Sequence, residues 1–227
     1  YLEAGQSPQS GREIRVEKTP EIITRMHERY DVNRHPRSLF SPSALNTYLD
    51  CRLKFYYRYV AGLKAPDEVS AEIDSALFGT IFHRAAELVY KDLTANGKEI
   101  RKEDLDQVLR NDIKLQNYVD IAFKEEFFHV ALTEKPEYNG TQLINAKVIT
   151  SYLRQLLRND LQYAPFFMEG MEKKVTEIIE IETSQGKLAL NIGGTIDRID
   201  SKDDTLRIVD YKTGGSPKTP ENIKQLF

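Results

Sequence analysis

The sequence predicts an α/β fold in which a mixed β-sheet is flanked by helices. Three segments have the alternation, or the β-branched and aromatic content, that is typical of strands: residues 188–192, 195–200 and 206–211. Three others repeat apolar side chains at three- and four-residue spacing: residues 75–93, 103–128 and 141–162. The last two helical segments predict a helical insert beside the sheet, and residues 174–183 predict one more strand.

The last two predicted strands should form a β-hairpin, because the polar residues 201–204 between them predict a turn. Side chains alternate between the faces of a strand, so Asp210 and Lys212 should point the same way. With a four-residue loop, Asp197 falls opposite Ile208 and lies diagonal to Asp210 on one face. A slip of one residue would separate the two carboxylates, so a shared ion site depends on the register.

Two carboxylates and a lysine in this arrangement predict a metal site that hydrolyses a phosphodiester. Neighbouring carboxylates repel each other unless a cation lies between them, and oxygen ligands favour Mg²⁺ or Mn²⁺ over zinc. A nearby lysine can orient a water or stabilise charge that develops on phosphorus. An exposed, salt-bridged hairpin is the simpler interpretation of an isolated Asp-x-Lys, and the context of further motifs argues against it here.

A histidine motif lies in the predicted helix at residues 75–93. Residues 79–87 read Gly-Thr-Ile-Phe-His-Arg-Ala-Ala-Glu, which places His83 and Glu87 on one helix face. A neutral imidazole can bind a metal while its other nitrogen is held by a neighbouring acceptor. A partly buried helix histidine is the alternative for His83. For Glu87 three roles stay open: a partner of a metal ligand, a charge on the substrate side, or a surface residue.

The histidine motif and the hairpin residues resemble motifs of the PD-(D/E)XK nuclease superfamily, in its RecB and AddB branch. The resemblance covers the chain from about residue 41 onwards, with a long unmatched insert between the histidine and hairpin motifs, and implies a restriction-endonuclease-like core. It implies that the metal ligands are His83, Asp197, Asp210 and the backbone carbonyl of Tyr211. It further implies that Lys212 is the catalytic lysine and that Gln225 begins a Gln-x-x-x-Tyr motif. Glu172 lies where relatives often have a glutamate near the active site, although a surface position is favoured.

The implied function is that of a divalent-metal-dependent DNA nuclease, most simply an exonuclease, in DNA end processing and recombinational repair. One or two Mg²⁺ or Mn²⁺ ions would activate a water, which Lys212 orients for in-line attack on phosphorus. A helicase subunit or a fused helicase domain is the expected partner. The alternative is a catalytically inactive nuclease-like domain that serves as a DNA-binding or assembly scaffold. These motifs do not separate DNA from RNA or structured junctions as the substrate.

The net charge of −3, from 32 basic and 35 acidic residues, lacks the basic excess of a nonspecific DNA-binding protein. Nucleic-acid contact therefore needs a local patch, and the helix that Ser41 and Pro42 should open offers one. Basic groups for phosphates and an aromatic face for bases interleave there: Arg52, Lys54, Tyr56 and Arg58. The alternative is that these aromatic side chains are core residues covered by basic stems.

Cysteine content and hydropathy predict a cytoplasmic protein without a membrane span. Cys51 is the single cysteine, and in some relatives the cysteine at this place binds an iron–sulfur cluster. Because such a cluster needs about four thiolates, it is not expected in this chain, and an inert buried thiol is favoured. No apolar run approaches the ~18 residues of a transmembrane helix. Residues 1–20 should be a loosely ordered lead-in to a single nuclease domain at 21–227, truncated at its C-terminal end and part of a longer protein.

Overall fold

The computed structural model describes residues 14–64, 72–183 and 186–214. The helices are α1 (Pro20–Tyr30), α2 (Pro42–Asp50), α3 (Arg52–Phe55), α4 (Ser75–Leu93), α5 (Lys102–Leu109), α6 (Asp112–Phe123) and α7 (Gly140–Tyr163). Single π-helical turns continue two of them, at Tyr56–Val60 after α3 and at Lys124–Phe128 after α6. The strands are β1 (Glu99–Ile100), β2 (Phe166–Thr183), β3 (Gly186–Lys202) and β4 (Thr205–Val209).

The strands form one four-stranded sheet in the order β1-β2-β3-β4. The β1–β2 and β3–β4 ladders are antiparallel, and an isolated parallel bridge joins Phe40 to Ile192. Helices and sheet together confirm the predicted α/β class. No helix in the described part of the chain is long and apolar enough to cross a membrane.

The described residues divide into two compact units. One comprises residues 14–64, 176–183 and 186–193, and its core is the buried group Tyr30, Ala44, Phe55 and Val60. The other comprises residues 72–175 and 194–214, where α4, α6 and α7 pack against one another. The domain boundaries expected from the sequence stay a prediction.

Helix α4 has the bounds that the apolar spacing predicted. It begins because the Asp74 carboxylate accepts a hydrogen bond of 2.7 Å from the Leu77 amide, which caps the first turn. Its buried face includes Ile81, Ala85 and Val89, which recur every four residues and are completely buried. The apolar stripe therefore fixes the rotation of α4 and presents the opposite side of the helix to solvent.

The helix predicted to run on from Ser41 is interrupted at Cys51. Ser41 caps α2 as expected, but Cys51 is extended, with φ −154° and ψ 108°. Its Sγ accepts a hydrogen bond of 3.4 Å from the Lys54 amide and so begins a second helix, α3. This capping role keeps the thiol at the surface, and the prediction of a buried cysteine was wrong.

The helical insert is present as α5, α6 and α7. The helix predicted over residues 103–128 is divided near Asn111, whose side chain accepts a hydrogen bond of 2.9 Å from the Lys114 amide and begins α6. Asparagine competes for backbone hydrogen bonds in this way and favours helix starts over helix interiors. The predicted helix at residues 141–162 is observed as α7.

The β3–β4 hairpin has a shorter loop than the sequence suggested. Lys202 pairs with Thr205, so the loop consists of Asp203 and Asp204, with φ angles of 48° and 60°. Two residues with positive φ match the twist of a hairpin, and aspartate tolerates this conformation. Ile199 pairs with Ile208, so the register differs by two residues from the predicted one. A shift of two keeps every side chain on its predicted face.

Candidate metal centre

Three side chains from different elements of the second unit converge at one point. His83 comes from α4, Glu172 from β2 and Asp197 from β3, and each offers one ligand atom within 4.8 Å of the others. His83 Nδ1 lies 3.6 Å from Asp197 Oδ1 and 3.7 Å from Glu172 Oε1. We call these three residues the convergent cluster.

The Tyr211 peptide group orients two members of the convergent cluster. His83 Nε2 lies 3.1 Å from the Tyr211 carbonyl oxygen, and the Tyr211 amide donates to Asp197 Oδ2 at 2.6 Å. A carbonyl oxygen can only accept, so Nε2 carries the hydrogen, and Nδ1 is the ring nitrogen that faces the two carboxylates. Metal-binding histidines commonly donate their other ring N–H to a carbonyl in this way.

The electrostatics of the cluster favour a bound cation. Asp197 is buried, with 8% of its surface exposed, and Glu172 is half-buried. Burial, followed by the negative charge of Asp197, raises the pKa of Glu172 above its ordinary value. One imidazole nitrogen and two carboxylate oxygens are donors that a divalent ion such as Mg²⁺ or Mn²⁺ accepts. The residues present therefore fit a divalent cation.

Glu172 reaches the cluster through an unusual backbone conformation. Its φ is 46°, in the left-handed region that side chains with a Cβ rarely adopt. Such conformations concentrate at functional sites. Sequence reasoning favoured a surface role for Glu172. No motif in the surrounding sequence distinguishes Glu172 from a surface residue.

Asp210 and Lys212 lie side by side, as their spacing predicted. The Lys212 amine is 2.5 Å from Asp210 Oδ2, and both side chains are largely exposed, at 73% and 61%. Among the described residues, Asp210 is not part of the convergent cluster. The physical reason is that β4 ends at Val209, so no ladder holds Asp210 opposite Asp197. The metal-binding role of Asp210 and the catalytic role of Lys212 stay predictions.

Glu87 is held by two cations of its own helix. Its carboxylate lies 2.6 Å from Arg84 Nη1 and 2.7 Å from Lys91 Nζ. Burial alone would raise the pKa of Glu87, but these two ion pairs outweigh it and the pKa is lowered. Arg84 also donates to both oxygens of Glu125, from the π-helical turn after α6. Gln225 lies outside the described residues.

A cleft of about 560 Å³ adjoins the convergent cluster and is lined by His83, Glu172 and the small residues at the start of α4. Gly79, in that stretch, has a structural reason to lack a side chain. A Cβ built there would lie 3.3 Å from Thr213 Oγ1, closer than most real contacts. The glycine of the histidine motif thus lets the segment after Lys212 approach α4.

The predicted nucleic-acid residues lie in the first unit. The charged ones are exposed: Arg52, Lys54 and Arg58. Tyr56 is half-buried and packs against the core of that unit, with its ring edge to Tyr57. The guanidinium groups of Arg52 and Arg58 lie over the rings of Tyr48 and Tyr59. The surface therefore combines core aromatics with solvent-facing cations, and its role in binding nucleic acid stays a prediction.

Comparison with known proteins identifies relatives of this chain. The chain is 28% identical over 174 residues to an ATP-dependent helicase/deoxyribonuclease subunit of Streptococcus agalactiae serotype Ia, a match that covers 76% of this chain and 14% of that protein. Proteins of the same name from Carboxydothermus hydrogenoformans and Streptococcus equi subsp. zooepidemicus are 24% and 29% identical, over 86% of this chain and 19% and 15% of their own lengths. The chain thus spans less than a fifth of these relatives.

The family profile extends the comparison beyond individual relatives. The profile of the PD-(D/E)XK nuclease superfamily matches residues 39–227, which include the histidine motif, the hairpin and all three members of the convergent cluster. The resemblance inferred from the motifs is confirmed, and the chain belongs to the PD-(D/E)XK nuclease superfamily.

Proposed function

We propose that this chain is a divalent-metal-dependent nuclease domain that hydrolyses phosphodiester bonds in DNA. The observation that carries the proposal is the convergence of His83, Glu172 and Asp197 beside a cleft, in a member of a nuclease superfamily. The relatives named as helicase/deoxyribonuclease subunits support DNA as the substrate and a helicase as the partner or fused domain.

The cation would be held by His83 Nδ1, Asp197 Oδ1 and Glu172 Oε1, the three atoms that face one another. A divalent cation at such a site lowers the pKa of a water and offsets charge on the phosphate oxygens. Asp197 and His83 are both anchored to the Tyr211 peptide, so they keep their directions while a substrate binds. The carboxylate of Glu172, on β2, would add a second negative charge to that of Asp197, on β3, and so help to neutralise the cation.

Lys212 would act on the phosphate and on the attacking water. Its side chain is largely exposed, and its amine is paired with the Asp210 carboxylate. With a phosphate in the cleft, the Lys212 amine would donate to the attacking water or to a phosphate oxygen, and the Asp210 carboxylate would be available as a further ligand for a cation. A positive charge at this position stabilises the negative charge that develops during in-line attack.

The finer assignment is exonuclease action in DNA end processing and recombinational repair, in the cytoplasm. The names of the relatives support a role beside a helicase. The free, exposed thiol of Cys51 fits a reducing compartment. Both Mg²⁺ and Mn²⁺ are candidate cations, because two of the three ligands are carboxylate oxygens, which suit either ion.

An inactive nuclease-like scaffold is the second candidate, and one observation favours it. Asp210 is turned to solvent and paired with Lys212, away from the convergent cluster in the described part of the chain. A domain that binds DNA without cutting it would tolerate this arrangement.

The experiment combines metal binding with DNA cleavage. Mn²⁺ binding is followed by electron paramagnetic resonance in the wild type, Asp197→Asn, Glu172→Gln and the exposed turn control Asp204→Asn. Linear single-stranded and duplex DNA, labelled at either end, and circular DNA are then incubated with Mg²⁺ or Mn²⁺. We expect the first two variants to lose Mn²⁺ binding and the control to keep it.

Cleavage by the wild type that is abolished in Lys212→Ala and Asp210→Ala supports the nuclease, and resistance of circular DNA supports exonuclease action. Equal cleavage by the wild type and both variants would indicate a contaminating nuclease. DNA binding without cleavage or metal binding would support the scaffold and contradict the nuclease.

A further inference from the structure

A buried ion-pair network lies behind the convergent cluster, centred on Arg198. Only 1% of the Arg198 surface is exposed, which is exceptional for an arginine and requires anionic partners. Its Nη1 lies 2.5 Å and its Nη2 2.9 Å from the two oxygens of Asp160, and Nη2 is 3.1 Å from Asp200 Oδ2. Asp160 and Asp200 are themselves buried, at 2% and 0% exposure.

Arg207 completes the network from its solvent side. It donates to both oxygens of Asp200, at 2.8 and 2.7 Å, and approaches Asp160 at 3.3 Å. Two arginines thus balance two aspartates, so the network is neutral as a whole. The Arg207 guanidinium stacks on the Tyr163 ring at 3.7 Å, and about a third of its side chain is exposed.

Arg198 reaches from this network to Tyr211. Its Nη1 donates to the Tyr211 hydroxyl at 3.4 Å, and its guanidinium lies 6.0 Å from the centre of the Tyr211 ring. The other end of the ring is held edge-to-face by Phe82 and His83, at 5.7 and 5.5 Å. The Tyr211 side chain is therefore fixed at both ends.

Tyr211 in turn holds the cluster, because its carbonyl accepts from His83 and its amide donates to Asp197. Arg198 also follows Asp197 directly in β3, and adjacent residues of a strand point to opposite faces. Locking Arg198 into the interior thus directs Asp197 towards the cluster. Arg198 therefore influences the convergent cluster in two ways: its contact with Tyr211 helps to hold His83 and Asp197, and its own burial orients the adjacent Asp197.

We propose that Arg198 is a positioning residue: its bonds to Asp160, Asp200 and Tyr211 hold the His83 and Asp197 ligands in the geometry that binds the divalent cation. The inference rests on the proposed metal-dependent function. It adds to that function a role for Arg198, a residue that would contact neither the substrate nor the metal.

The test compares Arg198→Lys with the matched control Arg207→Lys. Lysine keeps the charge but lacks the planar fork that reaches two carboxylates and a hydroxyl together. Both substitutions weaken contacts with the same two aspartates, whereas the described link to Tyr211 belongs to Arg198. Mn²⁺ titration followed by electron paramagnetic resonance and thermal unfolding are measured for each variant.

We expect Arg198→Lys to weaken Mn²⁺ binding by about tenfold or more, the range seen when groups that orient metal ligands are altered. Arg207→Lys should lower the melting temperature without changing Mn²⁺ affinity. Equal Mn²⁺ affinity in folded Arg198→Lys and the wild type would overturn the proposal. The proposal would also be overturned if Arg198→Lys and Arg207→Lys both lost Mn²⁺ affinity in proportion to their loss of thermal stability.

Two further measurements keep the test decisive. If Arg198→Lys does not fold, Tyr211→Phe takes its place, because it removes only the hydroxyl that Arg198 contacts. Folded Tyr211→Phe should bind Mn²⁺ more weakly than the wild type, and unchanged binding would refute the proposal. In the metal-free protein, Arg198→Lys at a fixed pH should shift the His83 ring resonances, assigned with His83→Gln, and Arg207→Lys should leave them unchanged. A wild type that binds no Mn²⁺ refutes the metal centre, while this resonance shift still decides the positioning role.

Discussion

Glu172 carries backbone strain, which the proposed role in metal binding would explain. Its φ of 46° costs an L-residue roughly 1–2 kcal/mol, whereas glycine adopts it freely. Replacing Glu172 with alanine removes the carboxylate but keeps the strain, and replacing it with glycine removes both. The pair of variants therefore separates the backbone contribution from the side-chain contribution to the free energy of unfolding.

Glu172→Gly should be more stable than Glu172→Ala by about 1 kcal/mol. This figure is the relief of roughly 1–2 kcal/mol of strain, reduced by the ~0.4–1 kcal/mol that glycine adds to the entropy of the unfolded chain. For a protein of this size, 1 kcal/mol corresponds to about 2–4 °C in melting temperature. Both variants should lose Mn²⁺ binding, because both lack the carboxylate that faces His83.

The assay is thermal and urea unfolding of the metal-free protein, combined with Mn²⁺ titration. His129 provides a matched control, because it has a similar φ of 52° at the end of the π-helical turn after α6. Glycine should exceed alanine in stability there as well, with no effect on Mn²⁺ affinity. If alanine at position 172 proves as stable as glycine, the backbone is not held in the left-handed region and the reasoning is refuted.

Three further predictions test individual contacts. Gly79→Ala should slow DNA cleavage, because its Cβ would lie 3.3 Å from Thr213 Oγ1 and would displace that side chain. The cost of this contact offsets the ~1 kcal/mol by which alanine favours a helix over glycine. Unchanged cleavage would contradict this prediction. Glu87→Gln should cost ~1 kcal/mol at pH 7, allowing for its exposure. Because the pKa of Glu87 is lowered in the folded protein, its ionised carboxylate stabilises the fold above the ordinary pKa, and this contribution is lost as the pH falls through the folded pKa. In urea unfolding, the difference in the free energy of unfolding between the wild type and Glu87→Gln should therefore be smaller at pH 3 than at pH 7. An equal difference at both pH values would contradict this prediction. Asp204→Gly, at φ 60°, should raise the melting temperature in a thermal scan, and a decrease would refute the turn assignment.

Local sequence signals predicted the parts of the fold that local forces determine. The bounds of α4 follow from one capping aspartate and an apolar stripe, both of which lie within the helix sequence or next to it. The strands of the hairpin were predicted for the same reason. Its register was not, because two aspartates accept positive φ and shorten the loop, a choice that the polar stretch alone does not reveal.

The convergent cluster was partly predicted for a different reason. His83 and Asp197 belong to recognisable motifs, and the structure brings them within 3.6 Å of each other. Glu172 has no comparable motif around it, and its position depends on how β2 passes α4, which is a tertiary property. Asp210 belongs to a clear motif and was predicted to join the site. Because β4 ends at Val209, however, its side chain lies in solvent, outside the convergent cluster of the described residues.

These differences divide the candidate site into an anchored part and a solvent-exposed part. His83 and Asp197 are tied to one peptide group, whose tyrosine ring is fixed in the interior by Arg198. Asp210 and Lys212 lie beyond the last ladder pair and contact each other in solvent. Side chains that are already held in place, as His83 and Asp197 are, lose little conformational entropy when they bind a cation. Under the proposed function, the exposed Lys212 would be able to follow a phosphate into the cleft, so we expect residues 210–212, and not the convergent cluster, to rearrange when DNA binds.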